Sequence, residues 1–507
     1  MKLKLSTVPS LFFAALLVGL VFSVLMRINL GFNSGHIDEY DYLFVGKRLL
    51  NGQSWNTYSY IFGSNLDWYL LGLGESLGGL YGARALAGLL GLVSLVGLYR
   101  FVRYLWDEVE SQRLAVLSVV LFAMQASHIF ISKLATYDII ALTFFSLSLA
   151  PLLQACREQG KARYWHLGLA IVLFSLAVTS KYIVIAYLPL VALIALCLAP
   201  AVGLIFSVVV CSILAVYAGW HWQDLQGLYA VQIKGVHGAN ASYLRIWHME
   251  MLYLTLPLMA WVCAMLWRVM TLRRANIRLS SDYTVRLLWL LLVFAVPFAA
   301  YHLNGRNMIS LYKHMVYALF FLSPVMAWLL WQFMQRFNFQ WAAQAAAAAA
   351  VLGMVGLNYQ HLRGMETAYP DVRPMVEAMS KLPLDANTTI ASEDPYLWRY
   401  VLFGQLSQNH IKELGWMDNN MDGKFEQKDA IEAVWDTKFT YIFFNNLIHP
   451  SLNEQLRGLF ASRGYEKVLE VPWQTTQVMS AQDHGVLELY KRTREPRIPT
   501  NEDAMFR

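Results

Sequence analysis

Residues 201–220 read AVGLIFSVVVCSILAVYAGW, an unbroken apolar run without a charged side chain. About 20 such residues in a helix rise about 30 Å, the thickness of a bilayer's hydrocarbon core. Comparable runs lie near 8–29, 83–105, 113–132, 138–155, 165–180, 182–199, 249–270, 285–302, 314–334 and 341–359. Together they predict a polytopic α-helical membrane protein with about eleven transmembrane helices. Composition agrees. The chain has 507 residues, 57% of them hydrophobic and 15% charged, whereas soluble proteins carry roughly 25% charged residues. Soluble cores also stop growing near ~250–300 residues, so this excess cannot all face one. The many Trp, Tyr and Phe residues suit the headgroup level of a bilayer. The net charge of +6 comes from scattered Lys and Arg, which excludes nucleic acid as a partner. Cys156, Cys197, Cys211 and Cys263 have neither zinc spacing nor a disulfide-framework pattern.

The first run follows Met1-Lys2-Leu3-Lys4, is too long for a signal-peptide core and lacks a small-x-small cleavage site, so it reads as an uncleaved anchor. The tract Ala345–Ala350 reads as helix packing. Basic residues set the orientation. Lys2 and Lys4, then Arg100, Arg103 and Arg113, then Arg157, Lys161 and Arg163, and finally Arg273, Arg274, Arg278 and Arg286 fall on one side if the spans alternate. That side is the cytoplasm. Residues 30–82, 221–248, 303–313 and everything from 360 onward then lie outside.

The expected division is a membrane domain over 1–359 and an extracytoplasmic α/β domain over 360–507. In the latter, Thr388–Ser392, Thr440–Phe444 and Gly485–Tyr490 read as strands. Segments near Arg373–Lys381, Tyr396–Phe403 and Ser451–Arg463 read as helices. No G-x-x-x-x-G-K-[ST], H-E-x-x-H or G-x-S-x-G pattern occurs, which argues against ATP-driven transport and common hydrolase mechanisms.

The first outer loop opens Gly35-His36-Ile37-Asp38-Glu39-Tyr40-Asp41-Tyr42, with Tyr42, Leu43, Val45, Gly46, Leu49 and Leu50 as an apolar face. Three acids thus begin a helix expected along the membrane surface. Acids in a first turn suit the helix dipole and need no further role.

At this point the sequence resembles the GT-C membrane glycosyltransferases, above all the branch of protein O-mannosyltransferases and lipid A aminoarabinose transferases. In that branch an Asp-Glu pair opens a surface helix after span one. The resemblance continues through Tyr81-Gly82-Ala83-Arg84-Ala85-Leu86-Ala87-Gly88, Lys133-Leu134-Ala135-Thr136-Tyr137-Asp138, Ala177-Val178-Thr179-Ser180-Lys181 and Leu311-Tyr312-Lys313-His314. It implies a GT-C-like helical fold with outer-face juxtamembrane helices. It also implies inverting transfer of a sugar from a polyprenyl-phosphate donor to a cell-envelope acceptor, with membrane lipid as a further partner, in a bacterial inner membrane with a periplasmic C-terminal domain. One departure stands out. Aminoarabinose transferases carry an acid-Lys-Pro-Pro stretch where this chain has Ser64-Asn65-Leu66-Asp67-Trp68-Tyr69. The sugar or acceptor is therefore expected to differ, with Asn65, Asp67, Trp68 and Tyr69 as candidate substrate contacts.

Such a transfer needs a carboxylate for the acceptor's proton and cations for the departing phosphate. The candidate base is Asp38, with Glu39 orienting the acceptor or tuning its neighbour. Asp138 is a second catalytic acid or simply a helix cap. Lys181, Lys313, His314 and Arg306 are candidate phosphate ligands; snorkelling of Lys181 and interface anchoring by Lys313-His314 are the plain alternatives. The loop from His221 through Lys234 to His237 is an amphipathic cover over the site or, on the plainer and preferred reading, a segment lying in the interface. Asp38, Glu39, Asp138, His221 and His237 have no metal-ligand spacing, so no cofactor is predicted, though a divalent cation is left open because asparagine-glycosylating GT-C relatives use one. The competing readings are a lipid-linked sugar transporter or flippase, and a non-catalytic subunit of a polysaccharide export assembly. A transporter commonly shows two similar halves, and this sequence shows no internal repeat.

Overall fold

Nine helices among the described residues are long and apolar enough to cross a membrane, which makes this an integral membrane protein. The computed structural model describes residues 10–53, 64–106, 108–229, 241–337, 340–417, 419, 426–476 and 483–493. Lys2, Lys4, Lys234 and His237 fall outside them. The chain divides into one unit of residues 1–30 and 46–365 and another of residues 31–45 and 366–507.

In chain order the helices are α1 (Ser10–Ile28), α2 (Ile37–Leu50), α3 (Asn65–Arg103), α4 (Glu108–Ala123), α5 (Ala126–Ile131), α6 (Tyr137–Arg157) and α7 (Gly160–Ser180). Then come α8 (Leu188–Leu198), α9 (Pro200–Trp220), α10 (Trp222–Leu228), α11 (Tyr243–Arg274), α12 (Tyr283–Gly305), α13 (Leu311–Arg336) and α14 (Trp341–Glu366). Two expected spans fall short. The run over 113–132 breaks at Gln125, whose extended backbone (φ −66°, ψ 130°) ends α4 and caps α5. The run over 182–199 is a 3-10 turn, Tyr182–Tyr187, followed by the short α8.

The second expected span, 83–105, is the far limb of α3, which begins already at Asn65. Gly78 and Gly79 interrupt it, and Gly79 has φ 59°, ψ −145°, a conformation essentially restricted to glycine. The limbs fold back tightly. A Cβ on Gly74 would lie 2.7 Å from the Ala83 Cα, and one on Gly82 would lie 2.2 Å from the Gly74 carbonyl oxygen. Close backbone approach through small residues is how helices pack where lipid offers no hydrophobic drive.

Of the helices long enough to span, α6 and α13 are the most enclosed, with 78% and 72% of their most apolar stretches buried. α6 packs against α3 and α7, and α13 against α4, α11 and α12. An aromatic cluster joins them. Phe145 of α6 meets Tyr187 at 4.9 Å, Tyr187 meets Phe298 of α12 at 5.5 Å, and Phe321 of α13 meets Phe294 at 4.7 Å between ring centroids.

In the second unit the elements are α15 (Arg373–Ser380), β1 (Ile390–Ser392), α16 (Pro395–Val401), β2 (Ile411–Glu413), α17 (Gln427–Trp435), β3 (Tyr441–Phe444), α18 (Pro450–Arg463), β4 (Tyr465–Gln474) and β5 (His484–Arg492). The sheet order is β2-β1-β3-β5-β4. β1 pairs parallel with β2 and β3, whereas β5 runs antiparallel between β3 and β4. Alternation in β3 explains the two cores: Tyr441 and Phe443 pack with Trp398 and Met375 on one face, Ile442 and Phe444 with Leu456 and Phe460 on the other. The predicted strands and helices of this region are all present; β2, β4 and α17 were not foreseen. The expected boundary at 359/360 lies within α14, which continues to Glu366.

Candidate active site

Lys133-Leu134-Ala135-Thr136 leads into α6, with Thr136 extended (φ −132°, ψ 160°) and Asp138 in the first turn. Asp138 is buried. Its Oδ2 accepts from Thr136 Oγ1 at 2.9 Å and lies 3.4 Å from Lys313 Nζ, while Oδ1 accepts from Lys181 Nζ. Two cations from separate elements therefore converge on this carboxylate. Lys181 stands where α7 ends, its backbone extended at φ −143°, ψ 95°. Its ammonium lies 5.2 Å from the Tyr137 ring centre. Lys313 is in the first turn of α13, just after Ser310 in the left-handed region at φ 60°. Lys181 and Lys313 are only 5% and 3% exposed, so neither snorkels to water.

His314 turns to a second group. Its Nδ1 lies 2.7 Å from His302 Nε2, and His302 Nδ1 lies 2.7 Å from the Asn307 carbonyl oxygen. That carbonyl can only accept, so neutral His302 is protonated on Nδ1 and accepts from His314. Sequence reasoning missed His302, which closes an apolar run without any motif around it.

The stretch Ser64–Tyr69 splits by burial. Asp67 and Trp68 are enclosed, while Asn65 and Tyr69 are exposed. Asp67 Oδ2 accepts from Ser64 N–H at 2.8 Å and Ser64 Oγ at 2.9 Å, and Oδ1 accepts from Ser180 Oγ at 2.8 Å. Ser180 and Lys181 are adjacent, so the end of α7 holds two acids at once: Asp67 through Ser180 and Asp138 through Lys181. Ser64, Asn65 and Leu66 also line a groove of about 400 Å³ with Val172, Thr179, Ile213, Tyr217 and His221 of the α7–α9 region. Arg306 is the exposed, left-handed C-cap of α12, φ 48°, with its guanidinium 5.4 Å from the Tyr243 ring.

The remaining candidates belong to the second unit, because residues 31–45 cluster with the C-terminal domain. Asn33 Nδ2 donates to the Glu366 and Tyr369 carbonyls at 3.0 Å, and Tyr40 packs with Val372, Met375 and Trp398. Glu39 is buried, and its Oε2 accepts from the His36 N–H at 2.8 Å. This is half of a capping box, in which the third helical residue satisfies the N-cap donor. The capping role thus falls to Glu39, while Asp38 is one-third exposed (33%) and lies 3.6 Å from His36 Nδ1. Asp41, given no role from the sequence, has its acidity weakened well beyond the ordinary carboxyl range by burial and by Asp38, with Arg399 opposing. Burial likewise lifts Asp394 to about 6 and Glu413 to about 7.

Among the described residues no group of three or more His, Cys, Asp or Glu side chains is placed to hold a metal. No family model matches the chain, and no curated protein matches it significantly. Solved structures do resemble it. ArnT from Cupriavidus metallidurans in the apo state gives a TM-score of 0.60 at 14% identity, over 96% of this chain and 99% of that one. The same protein bound to undecaprenyl phosphate gives 0.58 at 15% identity, over 97% and 99%. The archaeal oligosaccharyltransferase AglB from Archaeoglobus fulgidus, in complex with an inhibitory peptide and a dolichol-phosphate, gives 0.54 at 11% identity, over 97% of this chain and 75% of that one. The chain has the fold of the GT-C glycosyltransferases, as the sequence resemblance implied.

Proposed function

We propose that this protein is an inverting glycosyltransferase that moves a sugar from a polyprenyl-phosphate donor to a cell-envelope acceptor on the outer face of a bacterial inner membrane, its C-terminal domain in the periplasm. One observation carries the reading. Within a GT-C fold, Lys181 and Lys313 arrive from separate elements at one buried carboxylate, Asp138. Buried charges at a membrane edge are costly unless paired and used. That one similar structure is bound to undecaprenyl phosphate and another is in complex with a dolichol-phosphate supports a lipid phosphate as the ligand of those cations.

In this reaction the bond between the anomeric carbon and the phosphate oxygen breaks. The acceptor oxygen bonds to that carbon from the opposite face, and its proton goes to a carboxylate. Lys181 and Lys313 stabilise the charge that grows on the departing polyprenyl phosphate. Asp138 holds both ammonium groups in position, which makes it a positioning residue rather than a proton acceptor. Asp38 takes the acceptor's proton, and Glu39 supports it by capping α2. Asp67 and the groove beside Ser64 contribute to substrate binding through the end of α7.

Native mass spectrometry of the detergent-purified protein tests the donor class. The reading expects a bound polyprenyl phosphate whose occupancy falls in Lys181→Ala and Lys313→Ala. Retention of that lipid unchanged in both variants would remove the two lysines from the phosphate site.

A further inference from the structure

Asp67 and Ser180 stand 113 residues apart in the chain and meet inside the membrane unit. Asp67 is the third residue of α3, and Ser64 is the N-cap of that helix. Its Oδ2 accepts from the Ser64 N–H at 2.8 Å and the Ser64 hydroxyl at 2.9 Å, the local task of an acid at this position. That task occupies one carboxylate oxygen. The other, Oδ1, reaches across to α7 and accepts from the Ser180 hydroxyl at 2.8 Å. Ser64, Asp67 and Ser180 are all buried. A carboxylate offers about four acceptor sites, and protein donors take three of these. Little is left for a sugar hydroxyl.

Ser180 is the last residue of α7, and Lys181 follows it as the C-cap. There the backbone leaves the helix and enters the 3-10 turn Tyr182–Tyr187. A lysine stem is long and flexible, so the resting place of its ammonium depends on how firmly the backbone beneath it is held. The Ser180 hydroxyl supplies that hold. A hydrogen bond into a carboxylate is stronger than one between neutral groups, and this one is withdrawn from water. Consecutive residues at the end of α7 therefore have separate tasks. Thr179 lines the groove, Ser180 ties the helix to Asp67, and Lys181 donates to Asp138, whose Oδ2 lies 3.4 Å from Lys313 Nζ.

We propose that Asp67 and Ser180 are positioning residues for the donor phosphate: the hydrogen bond between them fixes the end of α7, so that Lys181 presents its ammonium to the lipid phosphate, while neither residue touches the lipid. The proposal rests on the reading of Lys181 as a phosphate ligand. It turns Asp67 from a substrate contact into a support, and it gives Ser180 a part in donor binding.

The test is equilibrium binding of a radiolabelled polyprenyl phosphate to the detergent-purified full-length chain. Ser180→Ala removes a hydrogen bond to a charged group and should weaken binding by about three- to tenfold. Ser180→Thr keeps the hydroxyl and should restore it, and Asp67→Ala should match Ser180→Ala. The deciding arm is the Lys181→Ala background. There Ser180→Ala should add no further loss, because the cation it positions is gone, whereas a general weakening of the fold would add in full. Additive losses would overturn the proposal. So would unchanged binding in Ser180→Ala beside weakened binding in Lys181→Ala, with the phosphate reading left standing. Unchanged binding in Lys181→Ala itself would overturn that reading and the positioning role with it. If Asp67→Ala does not fold, the Ser180 variants decide alone.

Discussion

Asp38 and Glu39 are neighbours in sequence with different occupations in the structure. Glu39 is buried on the His36 N–H, whereas Asp38 is one-third exposed (33%) beside the His36 ring. If Asp38 is the proton acceptor, Asp38→Asn keeps shape and loses proton affinity, and turnover on a hydroxyl acceptor should fall about 10²–10⁴-fold with donor binding preserved. Transfer to a hydroxyl acceptor at near-normal rate by Asp38→Asn would sink that role. For Lys313 the expected change is in affinity. A charged hydrogen bond to phosphate contributes about 1.5–3 kcal/mol, so Lys313→Ala should raise the donor KM about ten- to hundredfold and change saturated turnover less. An unchanged KM would leave Lys181 as the phosphate ligand. At this scale, residue types were legible from motifs and partnerships were not. Lys133 shares a motif with Asp138 and Arg84 stands in another of the family-like motifs, yet Lys133 donates to the Met26 carbonyl and Arg84 to that of Leu30, both closing the end of α1. Nothing in a sequence separates a cation that meets substrate from one that ties down a helix terminus.

Among the elements, α3 shows best what hydropathy reads and what it misses. Its far limb is a plain apolar run, but its near limb, Asn65 to Leu77, carries Asp67 and Glu75 and blends into a loop by composition. The two limbs meet at Gly79, whose positive φ an L-residue adopts only with strain. Gly79→Ala should therefore cost about 1–3 kcal/mol, read as a lower unfolding temperature in detergent. Gly78→Ala is the control, since its φ of −172° is extended backbone and a Cβ there meets nothing within 4 Å. Equal unfolding temperatures in the two variants would refute the strained-turn account. In the C-terminal sheet, β1, β3 and β5 were legible because apolar residues dominate them. β4 escaped because Glu466, Lys467, Glu470 and Pro472 dress it as an edge strand, the usual defence of an unpaired sheet margin.

Over the whole molecule, the apolar runs decided the class of the protein, and the tail's change in composition marked the second domain. The assignment of residues 31–45 to that domain was invisible, because it depends on contacts such as Asn33 with Glu366 across more than 300 residues. That unit should respond to acid in an unusual direction. Burial lifts Asp394 to about 6 and Glu413 to about 7. The native state therefore binds more protons than the unfolded chain between the ordinary carboxyl range and those values, so stability falls as pH rises through it. The C-terminal domain should unfold at a higher temperature at pH 5 than at pH 8, and Asp394→Asn with Glu413→Gln should flatten the difference. A pH trend unaltered by the two substitutions would show that these groups do not cause it.

The transferase account stands or falls on whether sugar transfer and lipid release are one event. The detergent-purified full-length chain would be supplied with a radiolabelled polyprenyl-phosphate sugar and a cell-envelope acceptor fraction, and both products counted. The account predicts labelled acceptor and free polyprenyl phosphate in equal amounts, both abolished in the Lys181→Ala, Lys313→Ala double variant. An intact donor after incubation with every acceptor fraction, or donor moved across a reconstituted bilayer without cleavage, would contradict it.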